Sequence, residues 1–151
     1  MESNFSASGH LSPKDMATIG EIRSQVGPNK KTIFISGAFN VVHSGHLRLM
    51  NFGAECGDVL VVGVHRDGSP GSVLPQQLRL ESTQSISVVD HAFIMESRIE
   101  DVLLALKPSI VIKGKEHEGT SNKEQAVVDS YGGKLLFGSD DVRFSSMELL
   151  R

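Results

Sequence analysis

The sequence predicts an α/β domain of the doubly wound kind, a mainly parallel five-stranded sheet with helices on both faces. Three observations predict it. Short apolar runs alternate along the chain with segments of helical spacing, the order of successive βαβ units. The runs are nearly continuous in apolar residues rather than alternating, which suits strands buried on both faces of a parallel sheet. The length, 151 residues, fits one domain, and a chain of that size buries roughly 70% of its unfolded surface.

Each element has its own local reason. Residues 1–11 are small and polar and read as a flexible tail, with 12–151 as the domain. Ser12 is placed to cap a helix, Pro13 suits the first helical position, and Asp15 falls in the first turn. Met16, Ile19, Ile22 and Val26 then keep helical spacing until Gly27-Pro28-Asn29 stops it. Thr32–Ile35 is the first strand, β-branched and apolar. A helix over about 46–55 carries Leu47, Leu49, Met50 and Phe52, and Asp58–Val64 is the second strand. The segment 68–72 (GSPGS) reads as a loop within the domain. A helix begins near Pro75, and His91–Met95 is a weaker strand candidate. Ile99–Leu106 reads as a helix and Ser109–Ile112 as a strand. Glu124–Tyr131 reads as a helix closed by Gly132-Gly133, and Lys134–Phe137 as the last strand.

Composition narrows the function classes. Fifteen basic against eighteen acidic residues leave a net charge of −3, so bulk charge will not grip nucleic acid. An anionic ligand must be held by local groups. No 18-residue apolar run exists to span a membrane. A single cysteine, Cys56, excludes an intramolecular disulfide framework and reads as a small buried residue. The first ten residues lack the basic and apolar regions of a signal peptide, so a cytoplasmic enzyme or binding domain is expected.

In open α/β sheets, ligands bind beyond the carboxyl ends of the strands. The segment after the first strand is therefore the first place to look. It reads Ser36-Gly37-Ala38-Phe39-Asn40-Val41-Val42-His43-Ser44-Gly45-His46. Gly37 leaves the backbone open to close approach by a ligand. His43 and His46 lie one helical turn apart, so their rings can face one point, and Gly45 leaves room there. The segment opens a helix, whose N-terminal N–H groups and dipole favour an anion. Two imidazoles and a helix N-terminus make a phosphate site. Ring N–H groups on non-bridging oxygens would stabilise charge developing on a phosphorus under attack. His65 also follows a strand run, at the ligand edge, but no second histidine lies one helical turn from it in the sequence.

This stretch resembles the signature of the cytidylyltransferase-like nucleotidyltransferase superfamily: a Gly, a Phe-Asp or Phe-Asn pair, then His-x-Gly-His. The segments GDVLVVGVHRD, PQQLRLESTQSISVVD, KPSIVIKG, YGGKLLF and FSSMELLR resemble its sugar-phosphate and glycerol-phosphate branch. The nearest likeness is the adenylyltransferase domain of bacterial ADP-heptose synthesis, which acts on a heptose 1-phosphate. Glycerol-3-phosphate cytidylyltransferase is next. The resemblance runs over about residues 14–151. It implies a Rossmann-like sheet and a single transfer, in which a substrate phosphate oxygen attacks the α-phosphate of ATP or CTP and pyrophosphate leaves.

The resemblance also implies roles for residues. His43, His46 and Lys113 would be catalytic. Ser36, Gly37, Ala38, Phe39, Asn40 and Gly45 would line the nucleotide site. Arg79 and Arg143 would add cations, and Ser145 and Ser146 would meet the β- and γ-phosphates at a helix N-terminus. Mg2+ would arrive on the triphosphate, with no dedicated protein metal site. The partners implied are the triphosphate and a small phosphorylated sugar or polyol, with no nucleic acid and no membrane. A homodimer and a fused or separate sugar kinase are expected, and so is a domain cut from a longer polypeptide.

Plainer readings stand beside these. Asn40 stands where the nearest branch has Asp, which removes a negative charge and supplies a donor-acceptor amide, or it is only a turn residue. Arg79 binds phosphate or pairs with a neighbour such as Glu81. Lys113 and Lys115 sit in a charged loop with Glu116 and Glu118. The segment 69–72 replaces the family's Lys-Gly, and Met147 replaces a hydroxyl. Those departures keep open a nucleotide-binding module with weak or no catalysis.

Overall fold

A computed structural model describes residues 11–114 and 122–138. The elements in order are α1 (Pro13–Val26), β1 (Thr32–Gly37), α2 (Ser44–Cys56), β2 (Val59–His65) and α3 (Gln76–Gln84). Then come β3 (His91–Met95), α4 (Ile99–Leu106), β4 (Ile110–Gly114), α5 (Asn122–Ser130) and β5 (Lys134–Gly138). The five strands form one sheet in the order β3-β2-β1-β4-β5, and every pairing is parallel. The doubly wound reading holds. The expectation of a mainly parallel sheet sharpens to a fully parallel one among the described residues.

Both faces of the sheet are covered, as the continuous apolar runs require. On one face Phe34, Val61, Phe93, Met95 and Val111 pack with Ile19 and Ile22 of α1, Val102, Leu103 and Leu106 of α4, and Val127 and Val128 of α5. On the other face Ile33, Ile35, Leu60, Val62, Val64, Ile94 and Ile112 pack with Leu49 and Met50 of α2 and Leu80 of α3. Alternate residues of each strand thus feed two separate apolar layers.

The caps explain how α1 docks. Asp15 N donates to Ser12 Oγ at 3.0 Å, with Pro13 at the first helical position. Asp15 does more than sit in the first turn. Its buried carboxylate accepts from Glu96 N and Ser97 N at 3.0 and 2.7 Å, tying α1 to the loop after β3.

Four strands run past their apolar runs. Ser36 and Gly37 pair with Gly63 and Val64, His65 pairs with Met95, and Lys113 and Gly114 pair with Phe137 and Gly138. Ladder pairing continues the strand where hydropathy no longer marks it. The residues read as loop positions therefore stand on the rigid carboxyl edge. β1 lies between β2 and β4, so the strand order reverses at the β1–β4 junction. That junction is the topological switch point where ligands bind in such sheets.

Candidate active site

A cavity of about 360 Å³ opens at the carboxyl ends of β2, β1 and β4. Ser36, Gly37, Ala38, Phe39 and Asn40 line it from the end of β1 and the segment that follows. His46 comes from α2, His65 from β2, Pro70 from the loop after β2, and Lys113 and Gly114 from β4. Two other hollows, of about 420 and 510 Å³, lie along α1 at the amino ends of β3 and of β1 and β4. Neither gathers a comparable set of groups at a strand carboxyl edge.

α2 starts at Ser44, so His43 is its N-cap and His46 its third residue. Both rings are held by the backbone. Gly45 N donates to His43 Nδ1 at 3.0 Å, and His43 N donates to His46 Nδ1 at 3.3 Å. This is a capping box made by two imidazoles instead of hydroxyl and carboxylate. Its consequence is chemical. A backbone N–H pointed at Nδ1 requires an unprotonated nitrogen there, so each neutral ring carries its proton on Nε2. The rings stack, with centroids 3.9 Å apart and planes 28° from parallel. His46 lines the cavity, while His43 is exposed beside it.

Phe39 sets the position of His46. Its backbone takes φ +53°, the left-handed region that non-glycine residues seldom occupy. Its ring is buried and meets the His46 ring edge-on, with centroids 5.4 Å apart. The ring also lies over Gly37: a Cβ there would sit 2.9 Å from Phe39 Cζ. Gly37 still lines the cavity, and the side where a Cβ would project is taken by the chain's own Phe39. The unusual backbone angle falls on Phe39 and not on Asn40.

Asn40 is fully engaged. Its Nδ2 donates to Gly71 O, and its Oδ1 accepts from Val73 N at 2.7 Å and Leu74 N at 3.0 Å. The simple turn-residue reading is replaced by a cross-link to the loop after β2.

Arg79 is corrected outright. It is fully buried and does not line the cavity. Its Nε donates to Leu74 O at 2.8 Å, one terminal nitrogen to Ala38 O at 2.9 Å and to His65 O, and the other to Asp67 Oδ1 at 3.2 Å. A cation with four donors so used, walled off from solvent, is a brace for the site's loops and not a phosphate ligand. Its ion-pair partner is Asp67 instead of Glu81.

Lys113 reaches the cavity, but its Nζ is 3.0 Å from Glu124 Oε1 of α5, with both side chains largely buried at 13% and 15% exposure. Glu116 and Glu118, the neighbours in the charged-loop reading, lie outside the described residues, and among those Lys113 pairs with a helix residue. An anion in the cavity would compete with Glu124 for this ammonium. Cys56 is half-buried against the α2 face of the sheet. Lys115, Arg143, Ser145, Ser146 and Met147 lie outside the described residues.

Two participants were underweighted by residue-type reasoning. His65 lines the cavity, and its signal was its place directly after an apolar run. Glu124 had no signal, because α5 comes to Lys113 only through the β4–α5–β5 crossover. Among the described residues no cluster of three or more His, Cys, Asp or Glu is arranged to hold a metal ion. None of their helices is long and apolar enough to cross a membrane.

Comparison with known proteins gives a consistent picture. Residues 34–137 match the family model described as cytidylyltransferase-like. A bifunctional protein HldE of Campylobacter concisus is 29% identical over 152 residues, covering 91% of this chain and 32% of that protein. One of Campylobacter curvus is 32% identical over 114 residues, covering 70% and 24%. The chain thus spans about a quarter to a third of the curated relatives it matches. Among solved structures, a lipopolysaccharide core biosynthesis protein from Thermoplasma volcanium superposes with TM-score 0.64 at 22% identity, covering 74% of this chain and 98% of that one. A pantoate-beta-alanine ligase from Francisella tularensis, complexed with beta-gamma ATP and beta-alanine, gives TM-score 0.62 at 16% identity over 82% and 64%. At these identities the superpositions speak for the fold.

Proposed function

The chain belongs to the cytidylyltransferase-like family, and on that premise we propose that it is a nucleotidyltransferase acting on a small sugar phosphate. In this reading it transfers a nucleoside monophosphate from ATP or CTP to a heptose 1-phosphate-like acceptor and releases pyrophosphate. A glycerol-3-phosphate-type acceptor is the alternative within the same chemistry. The observation that carries the reading is the pair of imidazoles at the N-terminus of α2, with both Nδ1 atoms engaged by backbone N–H groups.

The chemistry follows from that arrangement. With Nδ1 accepting from the backbone, Nε2–H is the ring group that would meet phosphate oxygens. Those donors, together with the α2 dipole, would hold non-bridging phosphate oxygens and strengthen as charge builds in the transition state. The acceptor phosphate oxygen attacks the α-phosphorus, the bond to the bridging oxygen of pyrophosphate breaks, and its electron pair leaves with pyrophosphate. No protein nucleophile is needed, so the residues act by positioning and charge stabilisation. Lys113, released from Glu124 by the incoming anion, would serve the phosphate side. Mg2+ would enter bound to the triphosphate oxygens and neutralise part of their charge. A sugar kinase, in the same polypeptide or separate, would supply the phosphorylated acceptor.

The test is direct. The protein is incubated with Mg2+ and ATP or CTP, and with heptose, other sugar and glycerol phosphates in turn, while pyrophosphate is measured. Release with one pair supports the reading, and none with any pair refutes it. A second reading, a module that binds nucleotide without turnover, is favoured by the Lys113–Glu124 pair and the burial of Arg79, which together leave fewer cations for the phosphates. It predicts triphosphate binding by calorimetry with no pyrophosphate from any acceptor.

A further inference from the structure

We propose that Asn40 is a positioning residue that clamps residues 70–74 and so fixes Pro70 against the cavity, and that this clamp needs asparagine at position 40. The proposal rests on the reading above that the cavity takes a nucleoside triphosphate. The Asn40 amide meets this segment with both of its halves. Its Nδ2 donates to Gly71 O, and its Oδ1 accepts from both Val73 N and Leu74 N. Two N–H groups on one side and a carbonyl on the other fix which way the amide points. A carboxylate would match only the N–H side. Its second oxygen would face Gly71 O, acceptor against acceptor. Asparagine where the nearest branch has aspartate is thus accounted for by a hydrogen-bond pattern.

Asp67 and Gln76 close the base of the loop with two reciprocal hydrogen bonds, and little else outside the loop holds its middle in place. Val73 is 82% exposed and Leu74 38%, so apolar burial does not anchor it. The bonds of Ser69 N and Ser72 Oγ to Arg66 O, and of Ser72 N to Ser69 O, stay within the loop itself. Arg79 Nε fastens the far end at Leu74 O. Asn40 is the link between the middle of the loop and the segment that follows β1. Pro70 lines the cavity on the β2 side of β1, while Lys113 and Gly114 line it on the β4 side. The width between those sides is therefore set partly by one amide.

Asn40→Ala and Asn40→Asp are compared with the parent in the intact protein. Two readouts are used: amide hydrogen exchange at Val73 and Leu74, and calorimetric binding of Mg-ATP and Mg-CTP. In Asn40→Ala both amides exchange about tenfold faster or more, as the loss of one hydrogen bond each implies. Triphosphate affinity falls with them. In Asn40→Asp at neutral pH affinity also falls. That loss shrinks toward the parent value as pH drops toward the carboxyl range near 4, where the protonated acid can donate to Gly71 O again. Unchanged exchange in Asn40→Ala overturns the clamp, and so does a pH-independent loss in Asn40→Asp. A parent that binds neither triphosphate, with exchange still raised in Asn40→Ala, overturns the functional reading and leaves the clamp standing.

Discussion

Replacing Arg79 by methionine separates a brace from a ligand. The guanidinium is fully buried and gives hydrogen bonds to three main-chain carbonyls, Ala38, His65 and Leu74, and to Asp67. Methionine fills much of the volume and donates nothing. Each buried acceptor left without a partner costs about 1–3 kcal/mol. Leu74 and Asp67 are solvent-exposed residues whose groups water can reach after a small shift. Ala38 O and His65 O are left to carry most of the loss, which sums to about 3–5 kcal/mol. For a chain of this length that lowers the melting temperature by about 6–20 °C. Arg79→Lys keeps the charge but lacks the planar fork that serves carbonyls in different directions, and should fall between parent and methionine. Thermal and denaturant unfolding followed by circular dichroism read the effect. The reasoning fails if Arg79→Met melts within about 2 °C of the parent while triphosphate affinity is lost. That result would make Arg79 a ligand.

Three further outcomes are expected. His46→Asn can keep an acceptor near the Nδ1 position but has nothing at Nε2, whereas His46→Gln places an amide donor near Nε2. Asparagine should cost about 10²–10³ in turnover and glutamine less, and the reverse order in a pyrophosphate-release assay would refute the assigned tautomer. Gly37→Ala drives a methyl into the Phe39 ring, which cannot simply swing away because it is buried. It should cost about 1–3 kcal/mol, read as a lower melting temperature, and reduce turnover by displacing His46; an unchanged melting point would contradict the packing. Burial pushes the pKa of Tyr131 well above the usual tyrosine range, and its hydroxyl has no hydrogen-bond partner among the described residues. The folded chain then holds the proton more tightly than the unfolded one. Stability is unaffected below the unfolded value of about 10 and declines as pH rises past it. Tyr131→Phe should match or exceed the parent at neutral pH and gain on it at alkaline pH, as melting curves at the two pH values will show.

The fold was readable because its causes are local. Phe34 between Ile33 and Ile35, or Ile94 between Phe93 and Met95, already contains two faces that both demand cover. The strand-end rule and the His43/His46 spacing likewise pointed to the carboxyl edge of the sheet, where a cavity opens. Side chains whose partners are main-chain atoms far along the chain carry contacts that sequence pattern does not announce. Arg79 answers to carbonyls at positions 38, 65 and 74, which any residue type can supply, so no pattern of side chains announces it. Asn40 answers to the turn of 70–74, and Asp15 to two N–H groups more than eighty residues away. Nothing in the sequence tells that Phe39 will fold back against Gly37.

The central place of β1 has a consequence for how the molecule is assembled in time. Its register with β2 joins Thr32 to Val59, 27 residues apart (59 − 32), and its register with β4 joins Ile33 to Ile110, 77 apart (110 − 33). The longer closure is costlier by only about 0.9 kcal/mol in chain entropy, yet non-local pairing slows the conformational search. On refolding, the half that bears the imidazoles can form before the half that bears Lys113. No contiguous stretch of chain owns the cavity. A fragment ending after β3 would keep both histidines and still have no opposite wall, so competence arrives only with the final docking of the carboxyl-terminal strands.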